Sequence, residues 1–336
     1  VAQGIGVFLQ HLFQAGHTNQ DTTMNAGVAI SSTIKPPKEG WPGHSGNWGR
    51  WPNDRGTLNL LTPEVVMRGI GAARLGEVYP LSRPVTDKEP LRADKCFEHT
   101  MLAAGAWDLE PERPESLNAS DKVAYRIHGM VNTHLDALSH VGYSGKGFNG
   151  HAFSDIATKA DGVKLAPISN AIGIVTRGVL IDVARGRNVA FLKPGEFVTP
   201  EELVEPAKQL QPGDAVLIRL GGTLAGGIPP NGPGNKHGTW PGLHPACAEV
   251  LGERDVSVIA SDGPGDVFPS PYEHICRSPT HTLCLAYYGI HLLHNMDLEK
   301  FAQVCAEKKR NTFLFTVAPL HMTRVTGSLV SPIAVL

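Results

Sequence analysis

Four apolar runs, at residues 171–183, 215–220, 256–260 and 312–320, constrain the fold more than any other feature of the chain. Each is bounded by Gly, Pro or Asp, is short enough for a strand and shows little alternation, the pattern of strands covered on both faces. Helical segments fall between and around them. Thr62-Pro63-Glu64 places a capping hydroxyl before a proline, predicting a helix over 65–75 that closes at Gly76, and Thr199-Pro200-Glu201-Glu202 repeats the signal before 203–210. Further helices are expected at 244–253, 280–288 and 298–308. The reading is an α/β chain with a mixed central sheet and flanking helices. Glycine and proline, 37 and 26 residues, make up about a fifth of the 336 residues, so loops occupy much of the chain and a helical bundle is excluded. No repeat or linker divides it. Residues 15–46 are polar and studded with Gly and Pro, which predicts an N-terminal arm over 1–45 and one domain over 46–336.

Charge narrows the function classes. Thirty basic and thirty-two acidic residues leave a net charge of −2 with no basic run, so a surface that tracks phosphates is not expected. No apolar run approaches the roughly 20 residues of a membrane span, and residues 1–13 lack the features of a signal peptide. The five cysteines (Cys96, Cys247, Cys276, Cys284 and Cys305) are scattered without a C-x-x-C spacing, as in reduced thiols, so a cytoplasmic protein is expected. Fifteen histidines point any metal chemistry toward imidazole and carboxylate ligands. Only 18% of residues are charged, and with the long arm this predicts a homo-oligomer, dimer or tetramer, in which subunit contacts cover apolar surface.

The densest chemistry lies in Tyr125-Arg-Ile-His128-Gly-Met130-Val-Asn132-Thr133-His134-Leu-Asp136-Ala-Leu-Ser-His140. In an extended chain His134 and Asp136 point to one side and His128 shares their parity. Imidazole and carboxylate on one face suit Zn, Mn or Fe(II), with further ligands from elsewhere; the same residues could equally form a hydrogen-bonded structural network. A second cluster contains His281, His291 and His294. A helix starting near Thr280 presents His281 at its first turn, and the chain after Gly289 can return His294 to the same end. His291, between apolar neighbours, reads as a satisfied core or surface histidine rather than a ligand.

Thr133-His134-x-Asp136-x-x-x-His140 resembles the core of the His-x-Gly-Thr-His-x-Asp-x-x-x-His motif of the metal-dependent cyclase-like hydrolases, the family of bacterial kynurenine formamidase and isatin hydrolase. Asn47-Trp48-Gly49-Arg50-Trp51, the stretch from Gly56 to Glu64, Phe148-Asn-Gly150, the stretch from Arg177 to Ala184, Pro212-Gly-Asp214, Ser261-Asp262 and Leu293-His-Asn-Met-Asp297 are similar in order and spacing to its longer branch. The resemblance implies a swivelling β/β/α fold, a homo-oligomer, and a divalent metal in a cleft partly closed by a neighbouring subunit. By position it implies metal ligation by His134 and Asp136, a catalytic role for His140, and a late ligand or ligand-supporting role for His281, with His294 where the family carries an acid or amide. Two departures stand out. Met130 replaces the motif's first histidine, with His128 two residues earlier, and Asn132 replaces its glycine.

One divalent ion, Zn2+ or Mn2+, is therefore expected, bound by His134, Asp136 and His294 with His281 as the alternative late ligand. The expected activity is hydrolysis of an amide, cyclic amide or lactone by activated water, with His140 as proton carrier. A small-molecule substrate would be lined by Trp48, Arg50, Trp51, Phe97 and Tyr143. The competing classes are a non-haem Fe(II) oxygenase with a 2-His-1-carboxylate triad and a metal-binding lyase or cyclase relative.

Overall fold

The computed structural model describes residues 46–85, 97–106, 117–171, 173–223 and 239–336. The expected arm over 1–45, and Cys96, lie outside the described residues.

Eleven strands of three residues or more are described: β1 (Val78–Pro80), β2 (Phe97–Ala106), β3 (Leu117–Tyr125), β4 (His134–Asp136), β5 (Ile174–Asp182), β6 (Ala215–Arg219), β7 (Val258–Ser261), β8 (His291–His294), β9 (Thr312–Val317), β10 (Gly327–Leu329) and β11 (Ile333–Val335). Nine of them form one sheet in the order β1-β11-β9-β5-β6-β7-β8-β4-β10. Its centre, β5 to β8, is parallel, and every pairing outside that centre is antiparallel. The four apolar runs thus become β5, β6, β7 and β9, three of them central.

Alternation along these strands feeds two hydrophobic clusters. Val179, Val216, Ile218, Ile259 and Leu292 enter one, while Leu180, Leu217, Ala260, Leu293 and Phe313 enter the other. Both faces of the sheet are covered, which is why the runs lack alternation.

The helices α1 (Pro63–Ile70), α3 (Cys247–Gly252) and α4 (Glu299–Glu307) fall in the expected segments, and α2 (Pro200–Val204), expected over 203–210, starts earlier and gives way at Pro206 to a 3-10 turn, Pro206–Gln209. At α1 the Thr62 hydroxyl accepts from Val65 N, with Pro63 in the first turn. At α2 Glu202 reaches back to Thr199 N at 2.8 Å, completing a capping box. Two further expectations need correction. α1 stops at Gly71 rather than Gly76, the closely spaced Gly69 and Gly71 being poor helix formers, and Gly69 lies flat on β5, where a Cβ would come within 2.4 Å of the Thr176 carbonyl carbon. The chain then leaves the helix, and Leu75 and Gly76 bond Leu336 O. The expected helix over 280–288 is a helical turn, Pro279–His281, followed by a buried π-helical segment, Thr282–Tyr288, that ends at Gly289 in the left-handed conformation.

Strands β2 and β3 pair only with each other in an antiparallel ribbon outside the main sheet, with a register shift between Met101 and Ala103.

Candidate metal centre

The site is set by the register of three strands. β4, fully buried, pairs antiparallel with β8 on one side and β10 on the other, so that His134 stands directly opposite His294. Leu135 and Leu293 point into one hydrophobic cluster, and alternation sends His134, Asp136 and His294 to the opposite face. The helical turn Pro279–His281 brings His281 to the same place.

The Asp136 carboxylate, completely buried, lies at the middle. Its Oδ2 is 3.2 Å from His294 Nε2 and 3.5 Å from His281 Nε2; its Oδ1 is 3.6 Å from His134 Nε2 and 2.8 Å from His128 Nδ1. His140 stacks on His128 with ring centroids 3.5 Å apart and stands 6.2 Å from the His281 ring. Every histidine singled out in the motif and in the late cluster, His291 excepted, is therefore at one centre, and His281 and His294 arrive together rather than as alternatives. His291 is buried, and alternation along β8 places it on the opposite face.

Hydrogen bonds decide which ring nitrogens are bare. A carbonyl or carboxylate only accepts, so His134 Nδ1 donates to Asn132 O at 2.8 Å and His281 Nδ1 donates to Asp266. In His134, kept neutral by burial, the Nε2 lone pair then faces Asp136 at 3.6 Å, whereas His281 Nε2, 3.5 Å from Asp136, carries a proton shared with that carboxylate, one that a metal ion would replace. His294 Nδ1 is buried without a hydrogen-bond partner. Burial pushes His134 down to about 3 and His140 down to about 4, and lowers His294. His281 goes the other way: against the burial that would lower it, hydrogen bonds to Asp136 and Asp266 push it up to about 10. Asp136 stays well below the usual carboxylate range, because the surrounding imidazoles, His140 foremost, outweigh the burial that would raise it.

Lone pairs and a carboxylate facing one another across a buried space call for a cation. The donor set fits a divalent ion. Two atoms each about 2.1 Å from one ion are about 3.0 Å apart at a right angle and about 3.4 Å apart at the tetrahedral angle, close to the 3.2 to 3.6 Å found here. Asp136, His281 and His294 bring donor atoms within 4.8 Å of one another, as do His128, Asp136 and His140. Gly265 keeps the cradle open: its φ is +84°, and a Cβ there would stand 2.6 Å from His294 Cε1.

Asp266 escapes the sequence reading. Its Oδ1 accepts from Thr280 N at 2.6 Å, and its Oδ2 accepts from His281 N at 3.3 Å and from the imidazole, so one carboxylate caps the helical turn and orients the ring it carries. The signal available was Asp262-Gly-Pro-Gly-Asp266, a cluster of turn formers with two acids at the end of a predicted strand. Asn295, in the left-handed region at φ +56°, anchors the loop before β4 by donating to Gly129 O and Asn132 O.

The residues expected to line a substrate have structural partners of their own. Arg50 is paired with Asp255 through two charge-assisted bonds of 2.5 and 2.8 Å and lies over the Trp51 ring. Trp48 donates to Ala286 O and stacks on Tyr287. Phe97 stacks on His99 within the β2–β3 ribbon. Tyr143 packs beside Trp48 and Trp51 against the first hydrophobic cluster.

Fold and centre together describe a mixed α/β protein with a buried His/Asp cluster, able to bind a metal, at one side of its sheet. The chain belongs to the family described as "Putative cyclase", whose model matches residues 78–265, in agreement with the ordered motifs. A crystal structure of a novel cyclase is similar over 87% of this chain and all of that one, with a TM-score of 0.74 at 25% identity. Isatin hydrolase A from Labrenzia aggregata, bound to benzyl benzoate, is similar over 83% of this chain and 98% of its own, with a TM-score of 0.53 at 18% identity. An isatin hydrolase bound to the product analogue thioisatinate gives 0.53 at 15% identity over 82% and 99%. These last two speak for the fold. No match to a curated protein was found. Among the described residues no helix is long and apolar enough to cross a membrane.

Proposed function

We propose that the chain is a metal-dependent hydrolase that opens an amide, cyclic amide or lactone bond of a small molecule. The observation that carries this reading is the convergence of His134, His281 and His294 on one buried carboxylate, with the His134 and His281 rings oriented by Asn132 O and Asp266. His134, Asp136, His281 and His294 would hold a single Zn2+ or Mn2+. A divalent ion supplies Lewis acidity at neutral pH, polarising a carbonyl and acidifying water.

The protein's own contribution is proton handling and exclusion of solvent. His140, kept neutral at pH 7 by burial, enters the reaction with a free lone pair. It takes a proton from water at Nδ1 or Nε2 and returns it to the departing nitrogen or oxygen. Isatin hydrolases share the fold, which makes cyclic amides the first substrates to try. The exposed apolar side chains of Met101, Leu102, Leu117 and Val123 on the β2–β3 ribbon support a homo-oligomer, which a sedimentation mass above that of one chain would register.

The test is a panel of arylformamides, cyclic amides, cyclic imides and lactones, run on metal-free protein and after reloading with Zn2+ or Mn2+, with oxygen uptake recorded alongside. Hydrolysis is expected only after reloading, and His140→Ala should lower turnover about 10²- to 10⁴-fold at full metal content. Undiminished turnover in His140→Ala removes that residue's role. Oxygen consumption in place of hydrolysis makes the protein an oxygenase.

A further inference from the structure

The two oxygens of Asp136 are used differently. Oδ2 faces His281 and His294, whereas Oδ1 is 2.8 Å from His128 Nδ1. The carboxylate can only accept, so Nδ1 of His128 carries the hydrogen. In the neutral ring the remaining lone pair lies on Nε2, which is 2.8 Å from Thr326 Oγ1, and the hydroxyl donates to it. Both nitrogens are thus engaged. The same ring lies face to face with His140 at an interplanar angle of 7°. It fits because position 327 is glycine: a Cβ there would approach its Cε1 to 2.9 Å. His128, Asp136 and His140 are close enough together to surround an ion, yet His128 has no lone pair left to give one.

We infer that His128 is a positioning residue, its tautomer set by Asp136 and its Nε2 occupied by Thr326, that holds Asp136 by Oδ1 and seats His140 against its face, so that the centre takes one divalent ion per chain. The inference rests on the metal-centre reading above and adds two residues to it, one from the loop before β4 and one from the turn before β10. What the sequence motif loses at Met130 as a donor, the structure replaces with an orienting hydrogen bond.

The experiment titrates Zn2+ alone into the metal-free full chain by calorimetry and records the visible spectrum of the Co2+-substituted protein. The variants are His128→Phe, which keeps a stacking ring and loses both hydrogen bonds, His128→Asn, whose side-chain amide can donate in place of Nδ1, Thr326→Val and Thr326→Ser. One Zn2+ per wild-type chain is expected. His128→Phe should bind about 10- to 100-fold more weakly with an altered Co2+ spectrum, and Thr326→Val about 10-fold more weakly. His128→Asn and Thr326→Ser should stay close to wild type. Melting of the metal-free variants reports folding, and if His128→Phe does not fold, the Val/Ser pair at Thr326 decides. Wild-type affinity and spectrum in His128→Phe or Thr326→Val, equal losses in Phe and Asn, or two tightly bound Zn2+ per chain overturn the inference. A wild-type chain that takes up neither ion overturns the metal-centre reading itself.

Discussion

Asp214 and Asp136 are both completely buried carboxylates, one just before a central strand and one within β4, and they are neutralised in opposite ways. Asp214, beside the start of β6, accepts from Arg177 Nε at 3.1 Å and Nη2 at 2.5 Å, from Arg68 Nη2 at 3.1 Å and from Gln211 N at 2.9 Å. Guanidinium is permanently charged, so this centre is complete in itself. Asp136 is ringed by imidazoles that burial keeps mostly neutral, and among the described residues its positive charge comes from a proton shared with His281. A carboxylate built to hold the fold brings its own cation. One built to work leaves that place to something exchangeable.

Substitutions at the two positions sharpen the contrast. Asp214→Asn strands two guanidiniums and should lower stability by about 3 to 5 kcal/mol in denaturant titrations, with metal content unchanged by elemental analysis. Asp136→Asn should abolish retained metal while costing the metal-free protein less stability than Asp214→Asn, since it strands no permanently charged group. Equal destabilisation by both would erase the distinction. Next in size, Zn2+ at 100 to 1,000 times its Kd should stabilise the wild-type chain by about 2.7 to 4.1 kcal/mol and Asp136→Asn not at all, read as the change in unfolding midpoint on adding a chelator.

A third buried carboxylate extends the series. Asp262 accepts from the backbone N–H groups of Leu220, Gly221 and Gly222, and burial pushes it up to about 6 despite those bonds. Its folded-state pKa exceeds the unfolded value, so the folded state binds the proton more tightly. The contribution of Asp262 to stability is therefore greatest below about pH 4 and declines as pH rises through about 6, by roughly 2 to 3 kcal/mol. Asp262→Asn should flatten that window in a comparison of stability-versus-pH curves, and parallel curves would show that its three amide donors suffice to hold it charged. The smallest effect is expected at Asp266→Asn, which loosens the His281 tautomer and should weaken Zn2+ binding about 10-fold, the low end for such partners, with the overall fold retained by circular dichroism.

What could be read from the sequence divides along the range of the interaction. The central strands were legible because burial on both faces leaves a local mark, and His134 and Asp136 because a strand has period two. His281 and His294 could be named but not ranked, since the π-helical segment between them and β8 sets where each ring points. The helix end at Gly71 was missed because the apolar spacing continues past Gly69 and Gly71, whose low helix propensity weakens the helix there. Asp266 and the use of His128 were missed for a different reason: each matters only through a partner supplied by a loop whose path no local pattern encodes. The pairing of Arg50 was not legible, because Asp255 comes from more than two hundred residues away.

The register of β4 between β8 and β10 makes the centre a digital rather than a graded feature of the chain. His134 faces His294 across one ladder and Leu329 across the other, and a shift of one residue would not move the donors a little: it would turn His134 and Asp136 into the hydrophobic cluster and bring Leu135 out in their place. Point substitutions can tune or empty the centre one side chain at a time. A single inserted or deleted residue within these three short strands would remove it whole, so length changes in this family have room to accumulate in the connections but not inside β4, β8 or β10.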